Sequence, residues 1–95
     1  MDPLDARREA IRLLDEVLAG RIGRIAELRR AWPEGGDFLV TRARQEAEHL
    51  LVTHGAVERR IVALLRRFLE TGGTHAELER AYDETIRSGE SPPVS

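Results

Sequence analysis

The chain has 95 residues, of which 41% are hydrophobic and 34% charged, and its formal net charge is −2. This length fits one small domain, and no apolar run approaches the roughly 18 residues that a membrane span needs. The absence of Cys excludes disulfides and thiolate chemistry, and the acidic balance argues against nucleic-acid binding.

The spacing of the apolar residues predicts an all-α fold, because no long stretch alternates apolar and polar residues. We expect a small bundle of four to five helices, over residues 3–19, 23–32, 38–54, 56–70 and 75–88. Residues 1–89 are predicted to form a single domain, and residues 90–95 a disordered tail with no means of burying itself. The first residues have neither a basic leader nor an apolar signal core, so we expect a cytoplasmic protein with no membrane contact.

The first two helices carry a seven-residue apolar repeat that begins just after the start signal Asp2-Pro3. Its members are Leu4, Ile11, Leu18, Ile25 and Trp32. Gly20 and Gly23 interrupt the repeat within one turn, which favours a break over one continuous helix. Because this seam is longer than the core of one small domain requires, we expect a homodimer in which Trp32 anchors a partner helix.

The segment from residue 32 to residue 36, Trp-Pro-Glu-Gly-Gly, predicts a turn, after which Asp37 can cap a third helix. A short extended segment over residues 38–40 is the alternative. Gly55 favours a break between the third and fourth helices, and one long helix over residues 38–70 is the alternative there. Helix 56–70 is apolar on so wide a face that we place it at the centre of the core.

Thr74 and Glu77 form a capping box that predicts the start of the last helix. The acidic residues of this helix can form a partner-binding patch, and they are Glu77, Glu79, Asp83 and Glu84. Arg59 and Arg66 lie seven residues apart along the edge of the fourth helix and could grip an acidic partner. The alternative interpretation is an ordinary solvated surface, in which the arginine stems cover the core and their heads pair with nearby acids.

Glu46 and His49 are three residues apart on the third helix, so a carboxylate and an imidazole there can share one metal ion. The alternative is a solvated edge on which Glu46 pairs with Arg42. The order Glu16, Glu46, His49 resembles the ligand order of encapsulated ferritins, whose half-sites are completed at a dimer interface. That resemblance implies iron binding and iron oxidation by a dimeric helical bundle.

A second resemblance concerns the segment Leu18-Ala19-Gly20-Arg21-Ile22 followed by a Trp ten residues on. It is similar to the opening of small bacterial immunity proteins, and it implies stoichiometric occlusion of a toxin. No Ser, Thr or His arrangement typical of nucleophilic catalysis is present. The sequence therefore predicts a non-catalytic, cofactor-free module that binds another protein, as an immunity protein or as a subunit of a larger bacterial assembly. A dimeric iron-binding bundle is the alternative.

Overall fold

The computed structural model describes residues 2–89, which form an all-α bundle without a strand in that range. The helices of this range are α1 (Pro3–Leu18), α2 (Ile25–Ala31), α3 (Phe38–Thr53), α4 (Ala56–Thr71) and α5 (His75–Gly89). The predicted all-α fold is confirmed, and every helix boundary lies within two residues of its predicted position. The tail predicted over residues 90–95 lies outside the described residues.

Three helices begin at side-chain caps that the sequence predicts. The Asp2 carboxylate accepts the backbone N–H of Leu4 at 3.0 Å, and the Asp37 carboxylate accepts the N–H of Leu39 at 3.1 Å. At the start of α5, the backbone N–H of Glu77 donates to the Thr74 hydroxyl at 3.1 Å. Each cap satisfies a backbone donor that has no partner inside its helix. Because Asp37 caps a helix that begins at Phe38, the extended alternative for residues 38–40 is wrong.

The predicted break between α1 and α2 lies at Gly20, whose φ of +80° is a conformation that residues other than glycine rarely adopt. The backbone N–H groups of Arg21 and Ile22 both turn back to the carbonyl of Glu16, at 2.9 and 3.3 Å. Arg24 is extended, with φ −124° and ψ 139°, and so α2 begins at Ile25, two residues later than predicted. The α3–α4 break is also confirmed, and it lies at His54, with a left-handed φ of 52°.

Helix α4 lies at the centre of the core, as its wide apolar face predicts. It packs against α1, α3 and α5, while α3 also contacts α1 and α2. The side chains that α4 buries are Ile61, Val62, Leu64, Leu65 and Leu69. Burial of this apolar face against three neighbours is the main source of stability in a bundle of this size.

The seven-residue seam does not form one continuous stripe, because the chain turns at Gly20. Ile11, Leu18 and Trp32 are half-buried against the chain's own core, whereas Leu4 is 58% exposed. The seam residues therefore serve mostly the single chain, which removes the argument for a homodimer that rested on them. The oligomeric state stays a prediction, and the mass of the chain in solution tests it.

Among residues 2–89, no helix combines the length and the apolar character that a bilayer crossing requires.

Candidate protein-binding site

An open groove with a volume of about 340 Å³ lies between the N-terminal parts of α3 and α5. We call it the α3–α5 groove, and its walls are Phe38, Thr41, Arg42, Gln45, His75 and Leu78. Leu78 is buried and joins the groove to the core, while Phe38 remains 43% exposed. The groove therefore combines aromatic, aliphatic and charged groups on one surface.

The two capping residues determine which side chains meet in the groove. Asp37 makes Phe38 the first residue of α3, and Thr74 makes His75 the first residue of α5. The two rings lie with their centroids 5.7 Å apart and their planes tilted by 53°. This separation is within the range of favourable ring contacts.

Arg42 is the central polar side chain of the groove. Its guanidinium carbon lies 5.0 Å from the centre of the Tyr82 ring, and its Nε donates to the Tyr82 hydroxyl at 3.2 Å. Glu46 and Glu79 lie at ion-pair distance on either side, each with an oxygen 3.8 Å from a guanidinium nitrogen. The cation thus contacts an aromatic face and two carboxylates of its own chain.

Tyr82 and Arg42 each keep one charge state around neutral pH. Burial raises the pKa of the Tyr82 hydroxyl to about 12, and Glu46 adds to this shift while Arg42 opposes it. The hydrogen bond to Tyr82 raises the pKa of Arg42 above its usual value. Tyr82 therefore stays neutral and Arg42 stays charged.

The four predicted acidic residues of α5 are all exposed, but they differ in their contacts. Glu77 accepts from the Thr74 hydroxyl at 3.1 Å within the capping box. Glu79 lies 3.7 Å from His75 Nε2, as well as beside Arg42. The structure therefore places Glu79 at the groove, gives Glu77 a role in starting α5, and leaves Asp83 and Glu84 on the outer surface.

The structure does not bring the other predicted partner-binding residues to this groove. Arg59 donates to the backbone carbonyl of Leu18, and Arg66 donates to Asp15 and, at 2.6 Å, to Glu70. The contacts with Leu18 and Asp15 join α4 to α1, and the contact with Glu70 lies within α4. They agree with the alternative in which arginines cover the core and pair with acids. Trp32 is half-buried at the end of α2, against the core.

Two of the three predicted metal ligands pair with arginines of the same chain. Glu16 accepts from Arg21 Nε at 2.6 Å, and this hydrogen bond lowers the pKa of Glu16. Glu46 pairs with Arg42 as the alternative interpretation predicts, while His49 is exposed. Within residues 2–89, no three His, Asp or Glu side chains form a group that could hold a metal ion. The hypothesis places its site between two chains, and a single chain does not test it.

The sequence did not single out Phe38, Arg42, His75 or Tyr82 as binding residues. Phe38 and Tyr82 resemble core positions in an amphipathic pattern, and His75 resembles an ordinary first-turn residue. One feature of the sequence could have indicated them. An aromatic ring directly follows Asp37 and another directly follows Thr74, at the starts of two capped helices. Only the packing of α3 near α5 turns that signal into a groove.

No protein-family model matches the sequence, and comparisons with curated proteins and with solved structures found no similar chain. The resemblances to immunity proteins and to encapsulated ferritins therefore rest on the residues quoted for them.

Proposed function

We propose that this protein is a non-catalytic module that binds another protein in a fixed stoichiometry through the α3–α5 groove. One observation carries the proposal: Phe38 is 43% exposed, yet it is held in contact with His75. An exposed aromatic ring on the first turn of a helix adds little to the core, but it can anchor a partner. Aromatic residues and arginine are the side chains most enriched at the centres of protein interfaces.

The network around Arg42 supports the same proposal. Binding costs free energy whenever a long side chain must be immobilised, and Arg42 is already held by Tyr82, Glu46 and Glu79. The exposed carboxylate of Glu79 lies beside Arg42 and favours a partner with a cationic rim. Toxin immunity is the most specific form of this proposal, and a structural subunit of a larger bacterial assembly is the general form.

Site-specific photocrosslinking tests the proposal directly. The photoreactive analogue benzoylphenylalanine replaces Phe38 in one variant, and it replaces Leu4 or Val52 in two controls. These controls are suitable because Leu4 and Val52 are also exposed apolar residues, at 58% and 66%, and neither lines the groove. In a lysate of the source organism, we expect one discrete adduct from position 38 and none from position 4 or 52.

The Arg42→Ala variant then distinguishes specific binding at the groove from nonspecific binding. It should weaken the adduct from position 38, whereas Arg8→Ala, which removes an exposed arginine of α1, should not. Equal adducts from all three analogue positions would contradict the groove. An adduct of twice the chain mass from position 38 would instead identify the partner as a second copy of this chain.

A further inference from the structure

A second surface cavity, of about 430 Å³, lies between α2, the turn after it and the first turns of α3. We call it the arginine pocket, and the argument uses six of its lining residues, Arg29, Arg30, Trp32, Glu34, Thr41 and Arg44. Thr41 also lines the α3–α5 groove, so the two surfaces share an edge. The pocket is otherwise separate and contains no residue of the Arg42 network.

All three arginines retain unused hydrogen-bond donors, and two of them make no side-chain hydrogen bond within residues 2–89. Arg29 directs its Nε and Nη2 to Glu48 Oε1, at 3.2 and 2.8 Å, and so its donors on one edge are used. The Nε of Arg44 lies 3.7 Å from Glu48 Oε2, which is an ion-pair distance but not a hydrogen bond. Arg30 is exposed and has no side-chain partner within residues 2–89.

The local charge is opposite in sign to that of the whole chain. Three arginines stand against Glu34 in the lining and Glu48 behind it, which leaves one positive charge in excess. The complete chain has a net charge of −2. A positive site on a negative molecule attracts a short anionic group more readily than a long polyanion, which the remaining surface repels.

Trp32 gives the pocket an apolar wall and a buried polar atom. Its Nε1 is buried and has no hydrogen-bond partner among the described residues, although buried donors are normally satisfied. The Thr41 side chain is exposed in the same lining and brings a hydroxyl. An indole wall beside guanidinium groups suits an amino-acid side chain that has both methylene groups and a carboxylate.

We propose that the arginine pocket binds an acidic peptide segment of a partner protein, with Arg30 and Arg44 donating to its carboxylates. A guanidinium matches a carboxylate in planar, two-bond geometry, and the free donors of these two arginines can provide it. The proposal does not rest on the α3–α5 groove, because Arg30 and Arg44 do not line that groove. The two surfaces share only Thr41.

Trp32 is the only Trp of the chain, so its fluorescence reports on this pocket alone. The full chain is titrated with a synthetic peptide of alternating Glu and Leu residues, at low and at high salt, with calorimetry as a second measurement. We expect saturable binding that changes the Trp32 emission and weakens with salt. The Arg30→Gln/Arg44→Gln double variant should bind about tenfold more weakly or worse.

The matched control is the Arg8→Gln/Arg80→Gln double variant, which removes two exposed arginines from α1 and α5 and leaves the pocket intact. It should keep the peptide affinity, as should Phe38→Ala, which damages only the groove. An equal loss of peptide affinity in the control would mean that the binding is nonspecific electrostatic attraction, and it would overturn the proposal. So would tighter binding of inorganic phosphate or single-stranded DNA, or the absence of saturable binding by both methods.

Discussion

Asp37 combines two roles that one pair of substitutions can separate. Its Oδ1 caps α3 by accepting the N–H groups of Leu39 and Val40, at 3.1 and 3.3 Å. Its Oδ2 accepts from Arg7 of α1, with the Nε contact at 3.0 Å, and so connects α1 to the start of α3. We expect Asp37→Ala to remove both roles and Asp37→Asn to remove only the charge, because Asn is a good capping residue.

The magnitudes follow from the contacts and their exposure. Loss of a helix cap costs about 1 kcal/mol. The ion pair adds at most about 1 kcal/mol, because solvent still reaches 28% of the Arg7 and 34% of the Asp37 side chain and screens the pair. We therefore expect Asp37→Ala to lower the free energy of unfolding by about 2 kcal/mol, and the Tm by roughly 10 °C for a domain of this size. Asp37→Asn should cost about half as much.

Asp2→Ala is the matched control, because Asp2 caps α1 without an ion pair to any residue in the range 2–89, and it should cost about 1 kcal/mol. Urea unfolding followed by circular dichroism measures all three variants. In an Arg7→Gln background, the cost of Asp37→Asn should vanish. An Asp37→Ala variant no less stable than Asp2→Ala, or an undiminished cost of Asp37→Asn in that background, would refute the reasoning.

The same carboxylate gives the stability a defined pH dependence. Burial alone would raise the pKa of Asp37, but the hydrogen bonds from Arg7, Val40 and Leu39 outweigh it and lower the pKa below 3.8. A carboxylate with a lowered folded-state pKa contributes stability that is present above its ordinary pKa and lost as the pH falls through the folded-state value. The difference between the wild type and Asp37→Asn should therefore be constant near neutral pH and should shrink below about pH 4.

Three further predictions concern the helix breaks and the metal hypothesis. Gly23→Ala should raise the free energy of unfolding by about 0.5 kcal/mol because its Cβ meets open space, whereas Gly20→Ala, at φ +80°, should lower it by about 1 kcal/mol. The reverse order in urea unfolding would contradict the placement of the α1–α2 break. His54→Gly should stabilise the chain by about 0.5–1 kcal/mol, because His54 has a φ of 52°, while His54→Ala should not. Equal stability of these two variants would argue against the left-handed cap. Adding ferrous iron should not change the mass of the protein in solution, measured by light scattering, or its metal content, measured by metal analysis. The reason is that Glu16 and Glu46 already pair with Arg21 and Arg42. Iron-dependent dimers that Glu46→Ala abolishes would support the ferritin-like alternative.

The sequence by itself determined the helices and their ends. Capping depends on a few neighbouring residues, so Asp2, Asp37 and the pair Thr74 and Glu77 act through contacts that are local in the chain. The central position of α4 could also be predicted, because its apolar face is too wide to be covered by one neighbour. Glu46 and Arg42 show the limit of such patterns, because helical spacing places them on one face but does not show that Arg42 also reaches Glu79 and Tyr82.

Only the tertiary structure decided which side chains meet across the bundle. Arg42 and Tyr82 are 40 residues apart, and Arg66 and Asp15 are 51 residues apart, yet both pairs are hydrogen-bonded. The chain has 15 arginines and no lysine, so local sequence cannot distinguish the arginine that joins two helices from one that remains free. That choice depends on how the helices pack around α4, which fixes the distance between residues far apart in the sequence. The α3–α5 groove and the arginine pocket arise from this packing and from no single segment.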